Sequence, residues 1–147
     1  MLRFRQIKQT DATPEKWTGT ALSALLGGDS YPAERLNAGC TVIVMYDGAK
    51  PAGLISVSPE TVGEKPRCGI VETVVLLPEY RRHGLGRILM GMGANLIAER
   101  QIWFLAGNVP DDDTAQKFAA AMGLKPVDWL GGMWVLDLSD VDGLRHG

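Results

Sequence analysis

Arg81-Arg82-His83-Gly84-Leu85-Gly86-Arg87 joins a long apolar run to the beginning of an amphipathic one. Backbone N–H groups at a helix start have no intrahelical acceptors and sit at the positive end of the helix dipole, so they form a ready anion site. Gly84 and Gly86 carry no side chain to hold a bulky anion away, and Arg81, Arg82 and Arg87 add charge-assisted donors. These residue types suit a pyrophosphate. A purely structural reading stands beside this one, with Gly84 serving an unusual turn and the arginines forming a solvated face. The segment is not GxxxxGK[ST], and the third glycine of GxGxxG is Leu89 here, so the nucleoside-triphosphate and dinucleotide fingerprints fail.

The second chemical candidate is Glu72, inside the otherwise apolar run Gly69-Ile-Val-Glu-Thr-Val-Val-Leu-Leu77. A carboxylate there is costly unless it faces a cleft, a partner or water. It is therefore a candidate general base, or else an edge carboxylate satisfied by solvent or an arginine. Strict alternation puts Glu72 on the side of Val74 and Leu76, a placement that a β-bulge would change.

The elements that must position these residues are legible from periodicity. Residues 69–77 read as a central strand buried on both faces, ended by Pro78. Leu85, Ile88, Leu89, Met92, Leu96 and Ile97 repeat as on an amphipathic helix, and Gly91 and Gly93 within it point to close packing on a sheet. Ile102 to Ala106 reads as another buried strand, so strand, helix and strand imply a parallel pair with a right-handed crossover. Before this unit, Leu2, Phe4 and Ile7 suggest a first strand. Trp17, Leu22, Leu25 and Leu26 suggest one helix ended by Gly27-Gly28, and Pro32 to Asn37 a short helical turn. Thr41–Tyr46 and Ala52–Val57 form a hairpin signalled by Asp47-Gly48. Asp111-Asp-Asp-Thr114 precedes a short helix closed by Gly123, and residues 127–138 read as a hairpin turning at Gly131-Gly132. The sum is an α/β chain, an α+β mixed sheet with antiparallel edges.

With 147 residues, 46% hydrophobic and 22% charged, the chain suits a single domain at 1–147. A net charge of −2 gives no general attraction to nucleic acid or anionic membrane, and no run approaches a membrane span, which leads us to expect a cytoplasmic protein. Cys40 and Cys68 lie in no zinc spacing and read as reduced structural thiols; no metal site is expected. The aspartates at 111–113 serve mainly to stabilise a helix start, since they lack the EF-hand pattern. His83 reads as exposed and His146 as part of a frayed tail. The four tryptophans read as core or rim, with Trp129 and Trp134 able to line a substrate mouth.

Leu76-Leu-Pro78-Glu-Tyr-Arg81-Arg-His-Gly84-Leu-Gly86-Arg-Ile-Leu-Met90 resembles the acetyl-CoA-binding motif of the GNAT superfamily, apolar-x-Pro-x-x-Arg/Gln-x-x-Gly-x-Gly/Ala after the fourth strand. The resemblance implies a GNAT-like, mostly antiparallel sheet with a central parallel pair and helices on both faces. It implies that backbone amides of Arg82, His83, Gly84, Leu85, Gly86 and Arg87 hold the pyrophosphate, with Arg81 supporting the loop. It further implies that the edge of Val74, Val75 and Leu76 pairs with the pantetheine arm where the fourth and fifth strands splay. A backbone N–H near Val74 or Val75 then stabilises the oxyanion. Asn108 resembles a cofactor-contacting asparagine of the family, and Asp112 occupies the spacing-equivalent position.

The activity implied is N-acetyl transfer from acetyl-CoA to a primary amine of a small molecule or protein. In the family a tyrosine often stands four residues before the Gly matched by Gly123, where it protonates the leaving sulfur. This chain has Ala119 there, so another group, with Tyr31 and Tyr46 among the candidates, or water serves as acid, or the thiolate leaves unassisted. The departure keeps open an alternative, a catalytically weak acyl-CoA-sensing module that binds a protein partner. The last hairpin offers a surface for homodimerisation.

Overall fold

The computed structural model describes residues 1–58, 68–100, 102, 104–127 and 133–138. Seven strands form one sheet among them: β1 Leu2–Gln6, β2 Thr41–Asp47, β3 Lys50–Ser58, β4 Cys68–Leu76, β5 Phe104–Gly107, β6 Lys125–Pro126 and β7 Trp134–Asp137. Their order across the sheet is β1-β2-β3-β4-β5-β7-β6. Only the β4–β5 pair is parallel, Cys68 facing Phe104 and Val71 facing Gly107; the other pairs are antiparallel. The helices are α1 Pro14–Trp17, α2 Ala21–Leu26, α3 Tyr31–Asn37, α4 Leu85–Glu99 and α5 Asp113–Ala121.

Helices cover both faces of the sheet. Alternation along β2 and β3 sends Ile43, Ile55 and Val57 to one side, where they meet Leu89, Met90, Ala94 and Ile97 of α4, Ala119 of α5 and Met122 just after it. Val42, Val44, Ala52 and Leu54 point the other way and meet Trp17, Leu22 and Leu77. The glycines of α4 differ in role. At Gly93 a Cβ would stand 2.8 Å from Ile55 Cδ1, so this residue permits the close helix-to-sheet approach.

Gly69 on β4 is tighter still: a Cβ would lie 2.4, 2.5 and 2.7 Å from three atoms of Ile97, which is 2% exposed and has nowhere to retreat. Gly69→Ala is therefore expected to cost about 1–3 kcal/mol by overpacking, seen as a Tm lowered by roughly 3–10 °C in a thermal melt. An unchanged Tm would mean that α4 can move off the sheet without loss.

Several expectations need correction. The helix expected across Trp17–Leu26 is two, because Gly19 turns at φ 78° and Thr20 caps α2 by accepting from Ser23 N–H at 3.2 Å. Leu25, expected on its buried face, is 47% exposed. β4 is fully buried only at Cys68 and Gly69; from Ile70 onward it is partly open, since β5 ends at Gly107 while β4 runs on to Leu76. In the last hairpin Trp134 faces Pro126 and Val127 N–H donates to Met133 O at 3.0 Å, a register that a two-residue Gly131-Gly132 turn would not give. The polar segment at 59–67, Trp103, Trp129, Gly131-Gly132 and His146 lie outside the described residues.

Candidate functional site

The early end of β5 creates the site. β4 and β5 share hydrogen bonds only through Val71 and Gly107, and beyond them a cleft of about 980 Å³ opens. The β4 edge from Val71 to Leu76 forms one wall, and Asn108 to Pro110 with Phe118 and Ala119 of α5 and Met122 just after it form the other. Arg81, Arg82, Gly84, Gly86 and Arg87 close one end. Val74 also packs against the α4-side core, Val75 against the opposite one, and Leu76 against both.

The loop at that end is built from unusual backbone. Arg82 at φ 67° and Gly84 at φ 77° are both left-handed, a conformation that Gly adopts freely and Arg adopts at a cost. After Arg81 N–H donates to Pro78 O at 3.2 Å, the next helix-type bond is Ile88 N–H to Gly84 O at 3.2 Å. Between them, the N–H groups of Arg82 through Arg87 donate to no acceptor among the described residues. Such a run at the positive end of the 15-residue α4 fits a pyrophosphate. Gly86 lies beside Phe118, whose ring atoms a Cβ would approach to 3.2 Å.

The arginines have separate tasks. Arg81 Nε donates to Leu76 O at 3.1 Å and ties the loop back to the last residue of β4. Arg87 Nη2 reaches Ala121 O at 3.5 Å, where a cation favours the C-terminal end of α5. Arg82 and His83 are exposed, and Leu85 is half-buried against the core opposite α4. The preceding 3-10 turn, Pro78–Tyr80, is anchored to the β2–β3 hairpin: Tyr80 O–H donates to Asp47 Oδ2 at 2.5 Å and Lys50 Nζ lies 5.2 Å from the Tyr80 ring centroid. That hydrogen bond lowers the Asp47 pKa and raises that of Tyr80.

Glu72 is the bulged residue of β4, since Ser56 pairs with Thr73 and Val57 with Val71. The bulge overturns strict alternation: Val71 and Val74 both pack on the α4 side, and Thr73 hydrogen-bonds Tyr31 of α3 on the other. Glu72 is exposed, lines the cleft and makes no hydrogen bond or ion pair among the described residues.

Of the two replacement tyrosines, Tyr31 reaches the cleft wall through Thr73, whereas Tyr46 stays between β1 and β2 with Arg3 5.1 Å from its ring centroid. Ala119 is 4% exposed and carries no proton-donating group. Asn108 is exposed at the cleft directly after β5. Asp112 caps α5, accepting from Ala115 N–H at 2.8 Å, and it too lines the cleft. Trp134, expected as a core or rim residue able to line a mouth, is half-buried and packs against the α4-side core. Thr73 and Phe118 are cleft residues that sequence reasoning passed over; a polar residue in an apolar strand was the available signal for Thr73. Burial raises the pKa of both thiols, Cys40 and Cys68, and keeps them protonated. No group of three or more His, Cys, Asp or Glu among the described residues is arranged to hold a metal, and no described helix is long and apolar enough to cross a membrane.

Comparison with solved structures finds the same fold. An acetyltransferase of the GNAT family from Staphylococcus aureus Mu50 superposes with a TM-score of 0.71 at 13% identity, covering 94% of this chain and 99% of that one. A tyrosine-to-phenylalanine mutant of the AtaT toxin, bound to the C-terminus of the antitoxin AtaR and acetyl-CoA, gives 0.71 at 13% identity over 95% and 94% of the two chains. AAC(6')-Iy in complex with a bisubstrate analogue gives 0.62 at 19% identity over 84% and 90%. No curated protein matches the sequence. The family model described as Acetyltransferase (GNAT) family matches residues 5–124, most of the chain and all of the cleft just described, and the chain belongs to that family of acetyltransferases.

Proposed function

We propose that the protein is an N-acetyltransferase that moves acetyl from acetyl-CoA to a primary amine. The observation that carries this reading is the cleft between β4 and β5, closed at one end by a run of backbone N–H groups with no acceptor among the described residues. In this reading the amides of Arg82 to Arg87 hold the pyrophosphate and Arg81 braces their loop through Leu76 O. The open edge of Val74 to Leu76 pairs with the pantetheine arm, and Asn108 contacts it from the other wall.

Glu72 takes the proton of the acceptor ammonium, directly or through a water, as the nitrogen attacks the thioester carbon. A β4 N–H at Val74 or Val75 stabilises the oxyanion of the tetrahedral intermediate. Its collapse breaks the C–S bond, and the thiolate takes its proton from water or from the Tyr31–Thr73 hydroxyl pair, because Ala119 supplies none. Thiol release from acetyl-CoA, measured against a panel of amines, tests this: amine-dependent release is expected.

Ala119 favours one other reading, an acyl-CoA-sensing module that binds a protein partner and turns over poorly. Tight acetyl-CoA binding without release on any amine would select it, and absence of acetyl-CoA binding would exclude both.

A further inference from the structure

The loop that presents the free N–H groups of Arg82 to Arg87 has little to hold its own shape. Its amides find no acceptor among the described residues, and Arg82 and Gly84 both occupy the left-handed region. A left-handed arginine is unfavourable in isolation, so the conformation has to be imposed from the two ends of the loop. On the far side α4 begins at Leu85. On the near side two side chains act as tethers: Arg81 Nε donates to Leu76 O at 3.1 Å, and Tyr80 O–H donates to Asp47 Oδ2 at 2.5 Å.

The tethers differ in what they grip. Arg81 is exposed and holds the strand from which the loop itself emerges. Tyr80 reaches a separate part of the sheet, 33 positions away in sequence. Asp47 is a fixed post there, paired through its backbone with Leu2 of β1 and with Lys50 of β3. The Tyr80 ring is half-buried against the core opposite α4, as is Leu85 at the other end of the loop, and Leu77 N–H donates to Ala52 O of β3 at 2.9 Å. The bond to Asp47 also holds that carboxyl below the usual carboxylate range, so Tyr80 donates to an ionised acceptor, the stronger kind of hydrogen bond. The neighbouring ion pair of Lys50 with Glu79, 3.5 Å between exposed side chains, contributes little by comparison. Neither Tyr80 nor Asp47 lines the cleft, so whatever they do for a ligand they do through the loop.

We propose that Tyr80 and Asp47 are positioning residues for the cofactor: their hydrogen bond holds the Arg81–Gly86 loop in the shape that receives the pyrophosphate, so that the ligand meets a preformed site. This rests on the reading of the loop as the pyrophosphate site. Without the tether the loop spends part of its time in other conformations, and affinity falls in proportion to the fraction that stays competent to bind. A ligand that never touches the loop does not feel the loss.

The test is equilibrium titration of the parent and of Tyr80→Phe, Asp47→Asn and Asp47→Ala with acetyl-CoA and with S-acetylpantetheine, which lacks the pyrophosphate, each variant checked by a thermal melt. Phenylalanine keeps the packed ring and removes only the O–H. Tyr80→Phe is expected to bind acetyl-CoA about tenfold more weakly, with its affinity for S-acetylpantetheine unchanged. D47A should lose as much, D47N less because its amide oxygen still accepts, and the Y80F/D47A double variant no more than either single one, since each removes the same bond. Undiminished acetyl-CoA affinity in Y80F would overturn the proposal. So would additive losses in the double variant, or equal weakening of both ligands with a lowered Tm, the signature of a general structural role. A parent that binds acetyl-CoA no more tightly than S-acetylpantetheine would remove the pyrophosphate reading itself and the proposal with it. A parent that prefers acetyl-CoA, with Y80F keeping the full preference, removes the proposal alone.

Discussion

Gly86→Val is expected to weaken acetyl-CoA binding by about 100-fold to 10,000-fold, the loss of roughly two charge-assisted hydrogen bonds. Gly86 is the second residue of α4 and lines the cleft beside the N–H groups assigned to the pyrophosphate. A Cβ there would meet the Phe118 ring at 3.2 and 3.3 Å and Leu76 Cδ1 at 3.8 Å, so valine fills the space in which phosphate oxygens must approach the backbone. The fold should tolerate it: Gly86 does not need a left-handed backbone, and Phe118 is 41% exposed and free to swing outward. Calorimetry beside a thermal melt separates the two effects. An acetyl-CoA affinity within threefold of the parent would show that the anion is held elsewhere.

Glu72→Gln is expected to lower kcat on a good amine by about 100-fold to 10,000-fold, the usual contribution of a positioned base, with acetyl-CoA affinity unchanged. Glutamine keeps the size of the side chain and removes only its basicity. Because Glu72 is exposed and makes no hydrogen bond or ion pair among the described residues, stability should move by no more than about 0.5 kcal/mol. A Tm drop of many degrees would recast Glu72 as a structural residue, and undiminished turnover would remove it from the reaction.

The cradle was legible because it is local: its glycines, its arginines and the helix that follows lie within a few consecutive positions. The two central strands and α4 were legible for a similar reason, since apolar periodicity records burial directly. The orientation of Glu72 was not, because the bulge that sets it is a relation between β4 and β3 rather than a property of either sequence. The break between α1 and α2 escaped because Trp17 and Leu22 stay buried on one side of the sheet whether or not the helix is continuous; only Gly19 and the Thr20 cap mark the interruption. The polar group behind β4 joins Tyr31 to Thr73 across 42 positions, and no periodicity links residues so far apart.

The most direct test of the central claim compares the equilibrium binding of acetyl-CoA with that of S-acetylpantetheine, which has the same thioester and arm but no pyrophosphate. The cradle at Arg81–Gly86 predicts that acetyl-CoA binds at least about 100-fold more tightly than S-acetylpantetheine, and that Gly86→Val removes most of the difference. Equal affinity for the two ligands, or no binding of acetyl-CoA at all, would contradict it.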